Sequence, residues 1–428
     1  MPPWLTPKEA VLKIAPGERI GLGAMCAEPP ILANELASQS DRLQGSRVYQ
    51  AVLGSPCPYA GSHEKGFKIG AFLFSSALKE AYAAKRVDYL PINFCELPRF
   101  FEDYRVDTAL IQVAPPKDGR VSLGIACDYT LSLALHARRV IAEVNPLMPE
   151  IPSEGLIELS RIDALVEGGL PPWTLTKSPP SDEELAIARH VASLIPDGAT
   201  IEVGVGSLGG AVLEALSGKK DLGLHSGTFP KEAFDLLDNG TITNQKKPID
   251  KGLMIASSLA GSALLYDRAK NEPTLRLMPS SYTHGAGTLS KIPNFFAINQ
   301  AIEVDLAGQV NSEWAGGLPV GGVGGLMDFL RGAVASKGGA SIIAMPSQAR
   351  NGSVSRIVPK VERASATKSD VHFIVTEWGI ASLFGKTLQE RALALIAIAH
   401  PNFRPMLESA LKAGLWALAM GKTHGARC

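Results

Sequence analysis

Residues 198–216 read Gly198-Ala-Thr-Ile-Glu-Val-Gly-Val-Gly-Ser-Leu-Gly-Gly-Ala-Val-Leu-Glu-Ala-Leu216, and this stretch decides the fold class. A short apolar run ends in a glycine turn, and a helical pattern follows directly, which is typical of a βα unit. Residues 17–36 read Gly17-Glu-Arg-Ile-Gly-Leu-Gly-Ala-Met-Cys-Ala-Glu-Pro-Pro-Ile-Leu-Ala-Asn-Glu-Leu36, in the same order of strand, turn and helix. The repetition predicts two related α/β domains. Chance similarity between two generic βα units is the alternative.

The boundary between these domains is predicted at Ser178-Pro-Pro-Ser-Asp-Glu-Glu184, where two prolines interrupt regular structure. Ser181 and Glu184 have the spacing of a capping box and predict that a helix starts here. We therefore expect one domain over residues 1–178 and a second over residues 179–428. The apolar face predicted for the new helix consists of Leu185, Ala188, Val191, Ala192 and Ile195.

Further strands are predicted from apolar runs that end at turn residues. They alternate with helical patterns, which favours mainly parallel sheets buried on both faces. The runs are Ala109–Val113, Val140–Val144, Ser341–Met345 and Val371–Thr376.

Composition narrows the function classes. The chain has 428 residues, of which 46% are hydrophobic and 20% charged, as in ordinary proteins with large cores. Lys+Arg and Asp+Glu number 42 each, so no basic surface is expected to recruit nucleic acid or an anionic membrane. Apolar runs stay shorter than the ~18 residues of a membrane span. Residues 1–10 carry prolines and charges where a signal peptide needs an apolar run.

The cysteines indicate a reducing compartment. They are few and widely spaced, and no C-x-x-C pair occurs, which argues against a disulfide framework and a zinc site. We therefore expect no metal and a cytoplasmic location. The five positions are Cys26, Cys57, Cys95, Cys127 and Cys428.

Two glycine-rich loops are candidate ligand sites. The first, Gly204-Val-Gly-Ser-Leu-Gly209, follows a predicted strand and opens a helix, so its backbone N–H groups can approach a ligand. It also fits a dinucleotide-binding pattern, but that pattern needs an acidic residue at the end of the next strand. Asp221 precedes that strand instead, which disfavours a nicotinamide cofactor. The second loop is Gly316-Gly-Leu-Pro-Val-Gly-Gly-Val-Gly-Gly325.

Several longer segments carry a family resemblance. They run in one order through most of the chain and include Glu143–Pro146, Ile298–Asn311, Ser353–Pro359, Val375–Ala381 and Ile398–Arg404. With them, the chain resembles the acetyl-CoA hydrolase/transferase branch of the family I CoA transferases. The resemblance implies two NagB/RpiA-like α/β domains with the active site between them, and a homodimer. It also implies an acyl-CoA substrate, a carboxylate or another acceptor, and no permanently bound cofactor.

By the same resemblance, individual residues acquire expected roles. The first glycine loop would line the thioester site, the second would supply a backbone amide from Gly325, and two further residues would contact CoA. The residues expected to bind CoA are Gly204, Gly206, Asn299, Gly324, Gly325 and Arg350. Arg350 is a cation that would meet a CoA phosphate or a pantetheine oxygen; without the resemblance it reads as a solvated surface charge.

The sequence departs from the family at the residues that carry the chemistry. In Leu222-Gly-Leu-His-Ser-Gly-Thr-Phe229, Gly227 stands where the family has a glutamate that attacks the thioester and forms a glutamyl-CoA intermediate. His284, in Tyr282-Thr-His-Gly285, replaces an asparagine that helps hold an oxyanion, and Leu326 replaces a glutamine. We expect the three departures to converge on the thioester site.

These departures predict direct attack on the thioester. Gly227 is expected to leave room for a water or a bulkier acceptor, which His284, titrating near neutrality, would activate as a general base. The amide of Gly325 and the loop at Gly204–Gly206 would stabilise the oxyanion.

Other candidates are weaker. Glu232 is a possible replacement nucleophile but is predicted on the solvent face of its helix, and His225 is expected to be structural. Ser226 would need His284 as its base. Acidic residues elsewhere in the shared motifs are expected to be structural, namely Glu28, Glu96, Glu313 and Glu377.

Three functions therefore stay open from the sequence. The first is an acyl-CoA-processing enzyme, cleaving the thioester or transferring the acyl group without a covalent glutamyl-CoA intermediate. The second is a CoA transferase between carboxylic acids with a displaced nucleophile. The third is a non-catalytic acyl-CoA-binding subunit. The glycine loops, Asn299 and Arg350 persist, which favours the first over a decayed enzyme.

Overall fold

Two sheets of mainly parallel strands frame the protein. The computed structural model describes residues 1–61, 66–176 and 178–414. The strands of the first half are β1 (Trp4–Leu5), β2 (Arg19–Leu22), β3 (Arg47–Gln50), β4 (Lys68–Ala71), β5 (Val87–Tyr89), β6 (Thr108–Val113), β7 (Arg120–Ser122), β8 (Arg139–Val144), β9 (Leu156–Glu158) and β10 (Ala164–Glu167).

The second half contributes shorter strands. These are β11 (Thr200–Val203), β12 (Gly223–Leu224), β13 (Thr228–Phe229), β14 (Met254–Ala256), β15 (Ser258–Leu259), β16 (Leu275–Leu277), β17 (Phe295–Gln300), β18 (Glu303–Asp305), β19 (Val310–Asn311), β20 (Trp314–Ala315), β21 (Leu318–Pro319), β22 (Ala340–Ala344), β23 (Gln348–Ala349), β24 (Val354–Ser355), β25 (Ile357–Val358), β26 (Phe373–Thr376) and β27 (Gly379–Ser382).

Helices cover the faces of both sheets. They are α1 (Pro7–Leu12), α2 (Pro30–Ser38), α3 (Lys79–Ala83), α4 (Leu97–Tyr104), α5 (Thr130–His136), α6 (Asp182–Leu194), α7 (Ser207–Ala215), α8 (Glu232–Asp238), α9 (Ala263–Ala269), α10 (Ser280–Thr283), α11 (Ala286–Leu289), α12 (Leu326–Ala335), α13 (Leu388–Ala397) and α14 (Arg404–Lys412). None of the helices in the described residues is long and apolar enough to span a membrane.

The strand order confirms the predicted α/β class. The first sheet runs β1-β10-β8-β6-β2-β3-β4-β5, with all neighbours parallel. The second runs β12-β11-β17-β22-β26-β27, and its last pair alone is antiparallel. Parallel neighbours need a crossover between them, and helices provide many of these crossovers and bury both faces.

Local sequence signals account for much of this architecture. Both quoted stretches form a strand followed by a helix, β2–α2 and β11–α7. The capping box of Ser181 and Glu184 is present at the start of α6. Ala188, Val191 and Ala192 are buried as predicted. The four predicted inner strands are observed as β6, β8, β22 and β26, with ends shifted by at most two residues.

Backbone hydrogen bonds join the two halves of the chain around the second glycine loop. Phe74 N donates to Gly321 O at 2.9 Å, and Phe94 N donates to Gly324 O at 2.9 Å. Farther along the contact, Leu259 N donates to Ile125 O at 2.8 Å. The loop at residues 316–325 is therefore held in place by residues of the first half.

Candidate active site

The candidate site lies at the carboxyl ends of three neighbouring strands of the second sheet. Strands β12, β11 and β17 pair in parallel, with Ile201 aligned to Leu224 and Val203 aligned to Ile298. The segment that continues from β12 therefore reaches Gly227 at the same edge as the loop after β11. Ligands of open α/β sheets bind at such carboxyl ends.

His284 reaches this edge from α10. It is the residue that ends this helix, and only 3% of it is exposed. Its ring contacts two phenylalanines, with centroid distances of 5.2 Å to Phe94 and 4.5 Å to Phe329. Phe94 belongs to the first half of the chain and Phe329 to α12, so three separate segments fix the imidazole.

The imidazole fills the space beside two glycines. A Cβ built on Gly227 would lie 2.8 Å from His284 Nε2, and a Cβ built on Gly325 would lie 2.6 Å from Cδ2 and 2.8 Å from Nε2. All three distances are shorter than a Cβ tolerates, so neither position accepts a side chain while the ring is there. The expectation that Gly227 leaves room for a water is wrong, because the larger ring of residue 284 occupies that room.

Two of the three positions at which we expect a departure from the family pattern, Gly227 and His284, thus touch each other. The third, Leu326, has a side chain packed in an apolar cluster with Val304 and Ile343, which does not include Phe329. Leu326 therefore belongs to the apolar core of the second half.

Burial sets the charge of His284. It lowers the pKa of the imidazole to about 3, the main cause being loss of hydration of the charged form. The expectation of titration near neutrality is therefore wrong, and the ring is neutral at physiological pH. Nδ1 lies 2.7 Å from Thr283 Oγ1, while Nε2 is directed between the two glycines.

His225 has a structural environment, as predicted. It is fully buried, and its Nε2 lies 2.9 Å from the carbonyl oxygen of Thr283. Burial, with a smaller effect of the nearby Lys247 ammonium, lowers its pKa to about 3. The hydroxyl of Ser226 donates to backbone oxygens of Val203 (3.4 Å) and Thr228 (3.2 Å).

The prediction that Glu232 faces solvent is wrong. Its side chain is only 7% exposed, and a Cβ built on Gly210 of α7 would lie 2.9 Å from its Oε1. Helix α8 therefore turns this residue toward α7. The short apolar stripe used for the prediction did not reveal this contact, because it spans two turns and leaves the orientation of α8 underdetermined.

The first glycine loop and Asn299 lie side by side. Gly206, the N-cap of α7, has φ +131°, a conformation that favours glycine. Asn299 lies on β17, beside the glycine loop that follows the paired strand β11. Its side-chain Nδ2 donates a hydrogen bond to Glu202 Oε2 at 2.6 Å. Glu202 is buried, and burial raises its pKa to about 8. Glu202 was not predicted; a carboxylate within an apolar strand just before a glycine loop was the available signal.

Arg350 lies in a different place from the glycines. It is exposed, has φ +51°, and lines a cleft of about 550 Å³ that also receives the loop residues Gly316 and Gly317. Arg356, Lys360 and Arg363 line the same cleft. Because Glu303 and Glu362 also line it, the cleft carries four cations against two carboxylates.

Comparison with known proteins places the chain in a family. The profile of the acetyl-CoA hydrolase/transferase N-terminal domain matches residues 4–169, and that of the C-terminal domain matches residues 261–411. The protein belongs to the acetyl-CoA hydrolase/transferase family. As a member of this family of acyl-CoA enzymes, it is an enzyme.

Individual relatives match the acetyl-CoA hydrolase/transferase chain over nearly its full length. A 4-hydroxybutyrate coenzyme A transferase of Clostridium kluyveri is 39% identical over 95% of this chain and 97% of its own. The crystal structure of RipA from Yersinia pestis is 34% identical, with a TM-score of 0.91 and coverage of 96% and 97%. A 4-hydroxybutyrate CoA-transferase structure from Porphyromonas gingivalis is also 34% identical, with a TM-score of 0.81 and the same coverages.

Within this acetyl-CoA hydrolase/transferase member, the predicted site residues form two groups. Gly227, His284 and Gly325 are in direct contact, and Gly204, Gly206 and Asn299 gather at the adjacent strand ends. Gly324 connects the second loop to Phe94 through its carbonyl oxygen. Across residues 1–61, 66–176 and 178–414, no group of three or more His, Cys, Asp or Glu side chains is placed to hold a metal ion.

The lowered pKa of His284 predicts a pH-dependent effect of replacing it. An unfolded histidine takes up a proton as the pH falls through about 6.5, but the buried ring does not until about 3. The wild type therefore loses stability on acidification, relative to a His284→Asn variant, by about 2 kcal/mol between pH 7 and pH 5. Urea unfolding of both proteins measures the difference.

Between pH 7.5 and pH 8.5 the same two proteins provide the control. The histidine is neutral there in both the folded and the unfolded state, so the difference in free energy of unfolding should be constant. A difference that is also constant between pH 7 and pH 5 would contradict the buried, neutral imidazole.

Proposed function

We propose that this protein cleaves acyl-CoA thioesters by direct attack, without a covalent glutamyl-CoA intermediate, and passes the acyl group to water or another acceptor. One observation carries the proposal: the imidazole of His284 occupies the space that a side chain at position 227 would need. The family reaction requires a carboxylate at that position in every step. Here the uncharged Nε2 of His284 occupies the space where that carboxylate would be.

The surroundings of His284 supply the other requirements of thioester chemistry. Position 325 lies against the ring, since a Cβ built on Gly325 would be 2.8 Å from Nε2, and the Gly325 amide is assigned to stabilise the oxyanion of the thioester carbonyl. The rings of Phe94 and Phe329 contact the imidazole at interplanar angles of 42° and 43°, and these contacts restrict its orientation. A group held in this way loses little entropy when it meets the substrate.

Binding of the CoA portion is proposed at the two loops and the cationic cleft. The glycines at 204 and 206 allow close approach of the pantetheine chain, and Asn299 offers a polar group beside it. Arg350 and the neighbouring cations suit phosphate oxygens, because charge-assisted hydrogen bonds to phosphate are strong.

Replacement of Arg350 by alanine should raise KM for acyl-CoA about tenfold with little change in kcat, because a phosphate contact binds ground state and transition state alike. Steady-state thiol release measures both constants. Arg268, which pairs with Asp238 away from the cleft, provides a matched Arg→Ala control with unchanged KM. Equal KM values for the Arg350 variant and the wild type would remove Arg350 from the CoA site.

The function itself is tested by incubation with acetyl-CoA and longer acyl-CoAs, with and without acetate or succinate. Acceptor-independent release of thiol supports direct attack. Exchange of CoA between acids would instead support a CoA transferase with a displaced nucleophile, for which Glu202, buried beside Asn299, is the carboxylate to replace first. Binding of CoA without turnover would support a non-catalytic acyl-CoA-binding subunit.

The remaining expectations belong to the same proposal. The protein is expected to act as a homodimer in the cytoplasm, with a domain boundary at residue 178. The two halves, 1–178 and 179–428, then contribute Phe94 and His284 to one site.

A further inference from the structure

The cleft beside the second glycine loop contains a stacked pair of side chains. The guanidinium of Arg363 lies over the indole of Trp314, with 3.8 Å between Cζ and the ring centroid. Both residues line the cleft of about 550 Å³, and Arg363 is exposed. A planar guanidinium stacks on aromatic rings and is also a surface on which nucleic-acid bases stack. The Arg363–Trp314 pair therefore offers the cleft a flat surface for a planar ring.

Trp314 is held in place by the protein itself. Asn311 Oδ1 accepts from the backbone N–H of Trp314 at 3.0 Å, and Asn311 Nδ2 donates to its carbonyl oxygen at 2.8 Å. The indole also meets the ring of Tyr89 edge to face, with centroids 6.4 Å apart and an interplanar angle of 75°. Because these contacts already restrict the side chain, a ligand that stacks there loses little affinity to ordering it.

The cations of the cleft suit the phosphates of a ligand. Arg356 donates to two backbone carbonyl oxygens, at 2.9 and 2.7 Å, and is therefore part of the wall. Across residues 1–61, 66–176 and 178–414, none of the ion pairs includes Arg350, Lys360 or Arg363. Such cations are available to phosphate oxygens, with which they form strong charge-assisted hydrogen bonds.

The carboxylates of the cleft, Glu303 and Glu362, suit the base of the same ligand. A carboxylate would repel a phosphate, but it accepts a hydrogen bond from an amino group on a base. We propose that this cleft is a subsite for an adenine nucleotide, with the base stacked on the Arg363–Trp314 pair and the phosphates at Arg350 and Lys360.

Two sources share this chemistry, the nucleotide end of CoA and a free adenine nucleotide. The inference goes beyond the proposed function, because thioester cleavage needs no stacked base. A volume of about 550 Å³ lies within the ~300–1,000 Å³ of ordinary ligand pockets.

Isothermal titration of the full-length protein tests the subsite with three probes: ADP, adenosine 3′,5′-bisphosphate and inorganic pyrophosphate. Both adenosine compounds should bind at least tenfold more tightly than pyrophosphate, because pyrophosphate has the charge without the base. Arg363→Ala should weaken their binding about tenfold, as expected for loss of one stacking partner. Arg363→Lys should weaken it similarly, since lysine keeps the charge but lacks the planar group.

Arg404→Lys is the matched control, at a second arginine–tryptophan contact outside the cleft, where Cζ lies 5.7 Å from the ring centroid of Trp378. Its nucleotide affinity should equal that of the wild type. If neither Arg363 variant folds, the comparison of the adenosine compounds with pyrophosphate on the wild type decides alone.

Competition distinguishes the two sources. Competitive displacement of adenosine 3′,5′-bisphosphate by CoA supports the subsite as the seat of the nucleotide end of CoA, whereas simultaneous binding of ADP and CoA supports it as a site for a free nucleotide. Failure of both adenosine compounds to bind, binding no tighter than that of pyrophosphate, or wild-type affinity in Arg363→Lys overturns the inference. Because binding needs no turnover, absence of thiol release overturns the proposed cleavage and leaves this subsite standing.

Discussion

Replacing Gly227 by glutamate should abolish thiol release, whereas the double variant Gly227→Glu/His284→Asn should gain exchange of CoA between carboxylic acids. The single glutamate cannot be accommodated, because its Cβ alone would lie 2.8 Å from Nε2 and 3.2 Å from the ring of Phe329. Overpacking of this kind costs about 1–3 kcal/mol, so a lower thermal midpoint is also expected. Asparagine at 284 removes most of the ring and frees that space.

Exchange is measured as transfer of CoA from acetyl-CoA to succinate, together with detection of a CoA adduct on residue 227. The double variant Gly227→Gln/His284→Asn has the same shape without the carboxylate and provides the control. His284→Asn alone should lose thiol release at least a hundredfold, within the usual range for removal of a catalytic imidazole. If the glutamate double variant folds and binds CoA but exchanges no faster than its glutamine control, position 227 is not the point of attack.

The second large effect is expected for Gly325→Ala. The added methyl carbon would lie 2.6 Å from Cδ2 of His284, so the imidazole must move or the loop must shift. A displacement near 1 Å at a reacting group costs about a hundredfold in rate, and we expect kcat for thiol release to fall by that factor. Stopped-flow and steady-state thiol assays report it.

Gly287→Ala is the matched control for this change. It adds the same methyl group in α11, three residues after His284, where nothing lies within 4 Å of the new carbon. Its kcat should equal that of the wild type. A Gly325→Ala enzyme with full activity would mean that the imidazole does not need its observed position.

Local signals in the sequence predicted the scaffold well. The βα units at residues 17–36 and 198–216, the capping box at Ser181 and the buried strands follow from short-range rules, and all are confirmed. The family also followed from motifs that keep their order along the chain, and the comparisons confirm it.

The site was less predictable, because its properties depend on contacts between distant segments. Phe94 and His284 are far apart in sequence, yet their rings touch, and the resulting burial moves the pKa of the histidine away from neutrality. The burial of Glu232 depends in the same way on how α8 lies against α7. Neither the lowered pKa of His284 nor the burial of Glu232 can be predicted from the residue pattern of a single segment.

The mutual exclusion of a side chain at 227 and an imidazole at 284 also constrains how such a site can arise. Starting from glutamate and asparagine, acquiring the histidine first would force two groups into one volume. From such a starting point, the route that avoids the clash loses the side chain at 227 before the ring arrives at 284. The effect of each substitution would then depend on the other, which is steric epistasis.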